Sequence, residues 1–147
     1  GGPKLVIKGL EAVRTDWTTL ARRVQRELLM RVLTGQPYEA FLKQVRQQLV
    51  CGDLDDELVY SKRLRRAVAD YEGNVPVHVQ AARMLDEPVR RVSYVITTHG
   101  PEPIDKQRSP LDYEHYLTRQ LAPACDGVLS MLGTEFERLS GGQLALF

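Results

Sequence analysis

Four cations fall within five residues at Lys62-Arg63-Leu64-Arg65-Arg66. Ammonium and guanidinium groups at that density suit the neutralisation of phosphates, and each phosphate neutralised releases condensed counterions. If the stretch is extended, Lys62 and Leu64 share one face while Arg63 and Arg65 share the other. Such a stripe could follow a phosphodiester backbone; the alternative is a solvated charged edge. A second constellation is Gln143-Leu144-Ala145-Leu146-Phe147, preceded by Gly141-Gly142. The two glycines leave the backbone free, and an apolar peptide on a free tether makes a good ligand. Leu144, Leu146 and Phe147 can fill neighbouring apolar pockets on a partner, while the Gln143 amide both donates and accepts hydrogen bonds. The alternative is a last strand folded onto the domain.

Metal and nucleophile chemistry have no comparable pattern. His78, His99 and His115 are scattered, and none lies four residues from another. Asp112, Glu114 and His115 are close in sequence, but adjacent helical residues point to different faces. Asp53, Asp55, Asp56 and Glu57 lack the glycine of a calcium loop. They read as a solvated helix entry, where carboxylates suit the positive end of the helix dipole. Cys51 and Cys125 are far apart and neither neighbours a histidine, so they read as free thiols. No G-x-S-x-G occurs, and neither Lys-Ser/Thr nor a helix follows Gly141-Gly142 as a phosphate loop requires. These residues point to a binding module, with no catalytic residue and no metal site.

The elements that would position the two constellations follow from periodicity. Lys4–Lys8 reads as a short strand ended by Gly9. Asp16 stands where a helix N-cap would, before Trp17, Leu20, Ala21, Val24, Leu28 and Val32 at helical spacing, with Leu29 and Leu33 widening the stripe. Gly35 ends that helix. Pro37 suits the first turn of a second, whose face is Tyr38, Phe41, Leu42, Val45 and Leu49 and whose end is Gly52. Leu58–Leu64 is a strand or an irregular segment. Pro76 starts a helix through Val79, Ala82 and Leu85, and Val92–Thr98, β-branched and aromatic, reads as a strand. Pro101, Pro103 and Pro110 mark an extended connection. A long helical stretch begins near Asp112, and Pro123 should kink it or split it.

At 147 residues, 43% apolar and 27% charged, the chain is long and apolar enough for one core. Its net charge of +1 supplies no global field, so any attraction to nucleic acid must be local. No apolar run approaches a membrane span, so no membrane partner is expected. The chain opens at Gly1-Gly2-Pro3 without a methionine and with no sign of a signal peptide. It reads as a cytoplasmic piece of a longer protein.

Further stretches resemble B-family DNA polymerases. Lys8-Gly9-Leu10-Glu11-Ala12-Val13-Arg14-Thr15-Asp16-Trp17 is similar to the segment where that family's palm ends and its thumb begins. Leu64-Arg65-Arg66 through Asp70-Tyr71, then Asn74-Val75-Pro76-Val77-His78-Val79-Gln80-Ala81-Ala82-Arg83, resembles the thumb's central motif. Leu111-Asp112-Tyr113-Glu114-His115-Tyr116 through Gln120-Leu121-Ala122-Pro123-Ala124 resembles its late helix. The terminal peptide resembles the one by which bacterial polymerases and repair proteins hold the ring-shaped sliding clamp. With Gly100-Pro101-Glu102-Pro103 it points to a bacterial member.

The resemblance implies an α+β, mainly helical fold with a few short strands. Residues 1–15 would be the end-piece of palm and the palm–thumb junction, 16–139 the thumb, and 140–147 a flexible clamp-binding tail. It implies part of a DNA-directed DNA polymerase of replication and repair, bacterial and nucleoid-associated, whose partners are duplex primer-template DNA and the sliding clamp. Carried over by position, Lys8 and Arg14 would lie near the primer strand, and Lys62, Arg63, Arg65 and Arg66 would face the duplex backbone or minor groove. His78 and Arg83 would lie at or behind that surface, while Gln143, Leu144, Leu146 and Phe147 would hold the clamp. The family's catalytic carboxylates, with the magnesium they bind, and its exonuclease lie upstream. No residue here matches them, so this piece alone should hold no cofactor and have no activity. One departure is Asp86-Glu87-Pro88-Val89-Arg90-Arg91, shorter than the family's connection. A chain break or a tight, mobile connection is expected between Asp86 and Val92. A reading of another class is an adaptor that docks on the clamp without contacting DNA; salt-sensitive DNA binding separates the two.

Overall fold

The computed structural model describes residues 16–141. Lys8, Arg14, the strand expected at Lys4–Lys8 and the peptide Gln143–Phe147 lie outside the described residues. In chain order the elements are α1 (Thr19–Leu33), α2 (Glu39–Val50), β1 (Tyr60–Arg63), α3 (Val77–Ala82), β2 (Arg91–Thr97), β3 (Gly100–Pro103), α4 (Tyr113–Tyr116) and α5 (Ala122–Leu129). The class is α+β and mainly helical, as the resemblance implied. The chain forms two compact units: residues up to Glu57 together with those from Tyr113 onward, and Leu58–Asp112. The span expected as thumb therefore contains both.

The first unit is helical. Leu20, Ala21, Val24, Leu28 and Leu29 of α1 are buried, and Leu42, Val45 and Leu49 of α2 bury a second stripe. The outer part of the predicted α1 stripe stays wet, with Leu33 44% exposed. The cap of α1 is Thr18, not Asp16: the Ala21 N–H donates to Thr18 Oγ1 at 3.3 Å. Thr18 is itself held from afar, because its N–H and its hydroxyl both donate to Gln120 Oε1, at 2.8 and 3.0 Å. Pro37 precedes the N-cap position Tyr38, and so lies outside the first turn of α2 where the sequence suggested it. Gly35 and Gly52 follow the two helices at φ 72° and 86°, a left-handed geometry that glycine adopts without steric penalty.

Pro123 neither splits nor stops the late helix. A π turn at Leu117–Leu121 directly precedes α5, with the Ala122 N–H donating to the Leu117 carbonyl. Proline has no N–H to donate and its ring crowds the carbonyl four residues back; the widened turn absorbs both defects. The helix α5 packs against α1, where Gln25 Nε2 donates to the Ala124 carbonyl at 3.1 Å. Phe136 is completely buried, and its N–H donates to Asp126 Oδ1 at 2.7 Å. The acidic run does not enter a helix. Asp55–Glu57 is one 3-10 turn, whose Glu57 pairs with Arg23 at 2.7 Å and whose Asp55 accepts the Tyr113 hydroxyl at 2.8 Å. Burial and the Asp55 carboxylate push the Tyr113 phenol up to about 12.

The second unit is a three-stranded antiparallel sheet, order β1-β2-β3, with α3 against it. Tyr60 pairs with Tyr94 and Arg63 with Arg91 across the first ladder. Leu64, Tyr71, Val79, Ala81, Ala82, Val92 and Tyr94 form its core. The segment expected as an extended connection supplies β3, with Pro101 and Pro103 on an edge strand, where a missing N–H is tolerated. Buried Glu102 then organises the turn that follows. One oxygen accepts from the N–H groups of Arg108 and Ser109, at 2.8 and 3.2 Å, and the other accepts the Ser109 hydroxyl at 2.8 Å. The Arg108 N–H bond lowers the Glu102 pKa most, burial opposes it, and the Ser109 bonds add to the lowering. The short connection at 83–90 is a turn and bends with no regular element, tied by Asp86 to Lys106 at 2.9 Å and by the Arg90 carbonyl to the Leu64 N–H at 2.8 Å.

Candidate nucleic-acid interface

The cations between positions 62 and 66 lie on and just after β1, an edge strand of the second unit. Backbone alternation puts Tyr60, Lys62 and Leu64 on one face and Ser61 and Arg63 on the other. The first is the core-facing side: Tyr60 stacks on Tyr94 with centroids 5.2 Å apart, and Leu64 is buried. Lys62 shares that side but remains exposed. Regular alternation stops at Leu64, because Arg65 and Arg66 enter a bend. Both are exposed, yet they differ. The Arg66 guanidinium lies 4.4 Å from the centre of the Tyr71 ring, a cation–π contact that orients it.

Tyr71 links a second candidate to this region. Arg83 Nη2 donates to the Tyr71 carbonyl at 3.0 Å, so Arg83 braces the loop carrying the ring that orients Arg66. His78 is buried on α3 among the core-facing residues, behind the surface. Of the described candidates, the structure gathers Lys62, Arg63, Arg65 and Arg66 at one exposed edge and ties Arg83 to it through Tyr71, while His78 is buried on α3.

Arg90 and Arg91 escaped the sequence reading. Arg91 stands directly across the ladder from Arg63, both are exposed, and Arg91 Nη1 donates to Ser61 Oγ at 3.2 Å. Exposed Arg90 immediately precedes it. The signal that could have found them is the pairing of the two aromatic strand positions: setting Tyr60 against Tyr94 brings Arg63 to Arg91. The combined edge presents cations from two strands and the bend. Such an edge can hold phosphates without reading base sequence.

A groove of about 440 Å³ lies in the same unit, with Leu85, Val89, Val92 and Ile104 among its walls. Arg91 and Lys106 line it together with Asp86, Glu87 and Asp105, so the groove is of mixed charge and adjoins the cationic edge at Arg91. Among the described residues, no group of three or more His, Cys, Asp or Glu side chains is placed to hold a metal ion. Among them, too, no helix is long and apolar enough to cross a membrane.

No protein-family model matches the chain. It is 49% identical to DNA polymerase II of Escherichia coli strain K12 over 156 aligned positions, covering 98% of this chain and 20% of that protein. It is 33% identical to DNA polymerase 2 of Aeropyrum pernix, covering 95% and 19%. With the DNA polymerase of Pyrococcus horikoshii it shares 29% identity over 92% of its length. The chain thus spans about a fifth of the length of the first two relatives. The first alignment is longer than the chain's 147 residues, so that relative carries residues with no counterpart here. A solved family B DNA polymerase from Pyrobaculum calidifontis has the same fold over 82% of this chain, at TM-score 0.67 and 23% identity.

Proposed function

From its relationship to a segment of DNA polymerase II, a family B enzyme by the fold it shares, we propose that this chain is the thumb of such a polymerase. In this reading the thumb grips duplex primer-template DNA without sequence preference, and the peptide Gln143–Phe147 docks on the sliding clamp. The observation that carries the grip is the exposed cationic edge of Lys62, Arg63, Arg65 and Arg66 in a chain with polymerase relatives. Arg66, held over Tyr71, enters the contact already oriented and loses less freedom on binding. His78 and Arg83 support the surface from behind, and Lys8 and Arg14 approach the primer strand from the junction.

Nucleotidyl transfer belongs in this proposal to the longer polymerase, whose carboxylates hold the magnesium elsewhere. Residues 1–15 are the proposed end of the palm, and the bacterial cytoplasm, at the nucleoid, is the proposed location. The clamp encircles the DNA that the thumb grips, so two weak contacts reinforce each other through effective concentration.

The test is a salt titration of duplex binding by the 147-residue chain. Neutralising about three phosphates predicts a log–log slope near −3. The quadruple variant K62A/R63A/R65A/R66A should lose most of that slope. An unchanged slope removes this edge from the DNA surface. In the same preparations magnesium and nucleotides should support neither primer extension nor degradation.

A further inference from the structure

We propose that Arg63 and Arg91 form one phosphate site built across two strands, with Arg91 as a DNA contact of its own. The site rests on the DNA-gripping role above and adds a residue that neither the cation-rich stretch nor the family resemblance supplies. The argument begins with register. Arg63 and Arg91 are direct cross-strand partners in an antiparallel ladder, so their side chains leave the sheet on the same face, with Cβ atoms about 5 Å apart. The diagonal bond from Arg91 Nη1 to Ser61 Oγ at 3.2 Å fixes that face independently, because Ser61 and Arg63 are alternate residues of β1.

Like charges directly opposite each other repel, and sheets ordinarily avoid the arrangement. Between the opposed residues Ser61, Ser93, Arg63 and Arg91 no carboxylate stands in the ladder, although Asp86, Glu87 and Asp105 share a groove with Arg91. The cross-strand neighbours are Ser61, Ser93, Arg63 and Arg91, and the next opposed pair on the face, Val95 and Glu102, is buried. Glu102 is occupied by Arg108 and Ser109. An anion between the two guanidiniums would turn the repulsion into two charge-assisted hydrogen-bonding contacts. A phosphodiester suits the pair because it offers two free oxygens, one to each fork. The Ser61 bond holds the Arg91 head toward that position, and Arg65 and Arg90 stand exposed just beyond the pair, at the same end of the ladder. The short connection matters here, since its last residues are these arginines: the chain enters β2 through Arg90-Arg91.

The experiment is a duplex-DNA titration of the 147-residue chain across a range of salt. It compares the wild type with R63A, R91A, the double variant and R91K. If the two arginines share one phosphate, each single variant flattens the log–log slope by about 0.9, so a tenfold dilution of salt strengthens its binding roughly eightfold less than it strengthens the wild type's. The double variant should bind little more weakly than either single one, and R91K should keep most of the slope. Melting without DNA should be no lower in R91A than in wild type, because the change relieves repulsion. If R91A is poorly folded, R91Q takes its place. Wild-type affinity and slope in R91A would overturn the site, as would losses that simply multiply in the double variant. If the wild type shows no salt-dependent duplex binding at all, the DNA-gripping role fails together with the site. Wild-type binding that ignores Arg91 sinks the site alone.

Discussion

Glu102 offers the sharpest test of how the second unit holds its shape. It belongs to the Gly100-Pro101-Glu102-Pro103 stretch, where sequence supplied only a family resemblance. In the structure its buried carboxylate terminates three hydrogen bonds from Arg108 and Ser109, and so ties β3 to the turn that follows. Hydrogen bonds to an ionised group contribute about 1.5–3 kcal/mol each, against about 0.5–1.5 for neutral pairs. Two of the bonds are 2.8 Å long and the third is 3.2 Å. Glu102→Gln keeps the shape and one accepting oxygen but removes the charge, so it should cost about 1–2 kcal/mol. Glu102→Ala removes all three bonds and strands two N–H groups, for about 3–5 kcal/mol. Amide exchange reads this locally: about 1.4 kcal/mol is a factor of ten, so Arg108 and Ser109 should exchange about tenfold faster in the Gln variant. The sign with pH follows from the lowered pKa. The folded carboxyl titrates below its unfolded value of about 4.3. The carboxylate's stabilisation is therefore complete at neutral pH and is lost as pH falls through the folded value. The difference between wild type and Glu102→Gln should shrink over that acid range. Equal exchange at neutral pH, or a difference that persists in acid, would refute the reasoning.

Truncation after Gly142 should abolish clamp binding and leave thermal unfolding unchanged. Leu144, Leu146 and Phe147 would each contribute roughly 1.5–3 kcal/mol on the clamp before ordering costs, and a large loss of melting temperature would instead mark a segment built into the core. Thiol titration should find Cys51 reactive and Cys125 silent until unfolding, because Cys51 is exposed while burial keeps Cys125 from solvent and pushes its thiol up; equal rates would contradict the packing around α5. Gly52→Ala should destabilise the first unit by about 1–2 kcal/mol, the cost of a side chain at left-handed φ. A Cβ there would also sit 3.2 Å from the Tyr113 hydroxyl, so a neutral effect in urea unfolding would mean that α2 ends differently.

Much of this molecule was legible because its signals are local. The stripes of α1 and α2, the glycines that end them and the β-branched run of β2 each depend on residues a few positions apart. Even so, local reading misplaced what is held from a distance. Asp16 is as good a cap in isolation as Thr18, but Gln120, about a hundred residues away, holds Thr18 in position. Pro123 announces a disruption; whether a helix meets it with a kink or a widened turn depends on what packs around it. The acidic run at 53–57 looked solvated because its partners, Arg23 and Tyr113, are remote in sequence.

The sequence by itself determined the helical stripes, the density of cations at positions 62–66 and the resemblance to B-family polymerases. Each is carried by residue types at short spacing or in a fixed order, and survives whatever the rest of the chain does. Only the tertiary structure decided that the chain leaves one unit at Glu57 and returns to it at Tyr113, and that Arg91 faces Arg63. Strand register is the reason for the latter. A slip of one residue would turn Leu64 and Tyr60 away from the core, so burial of those side chains selects the pairing. The pairing then brings together two arginines that no local pattern connects.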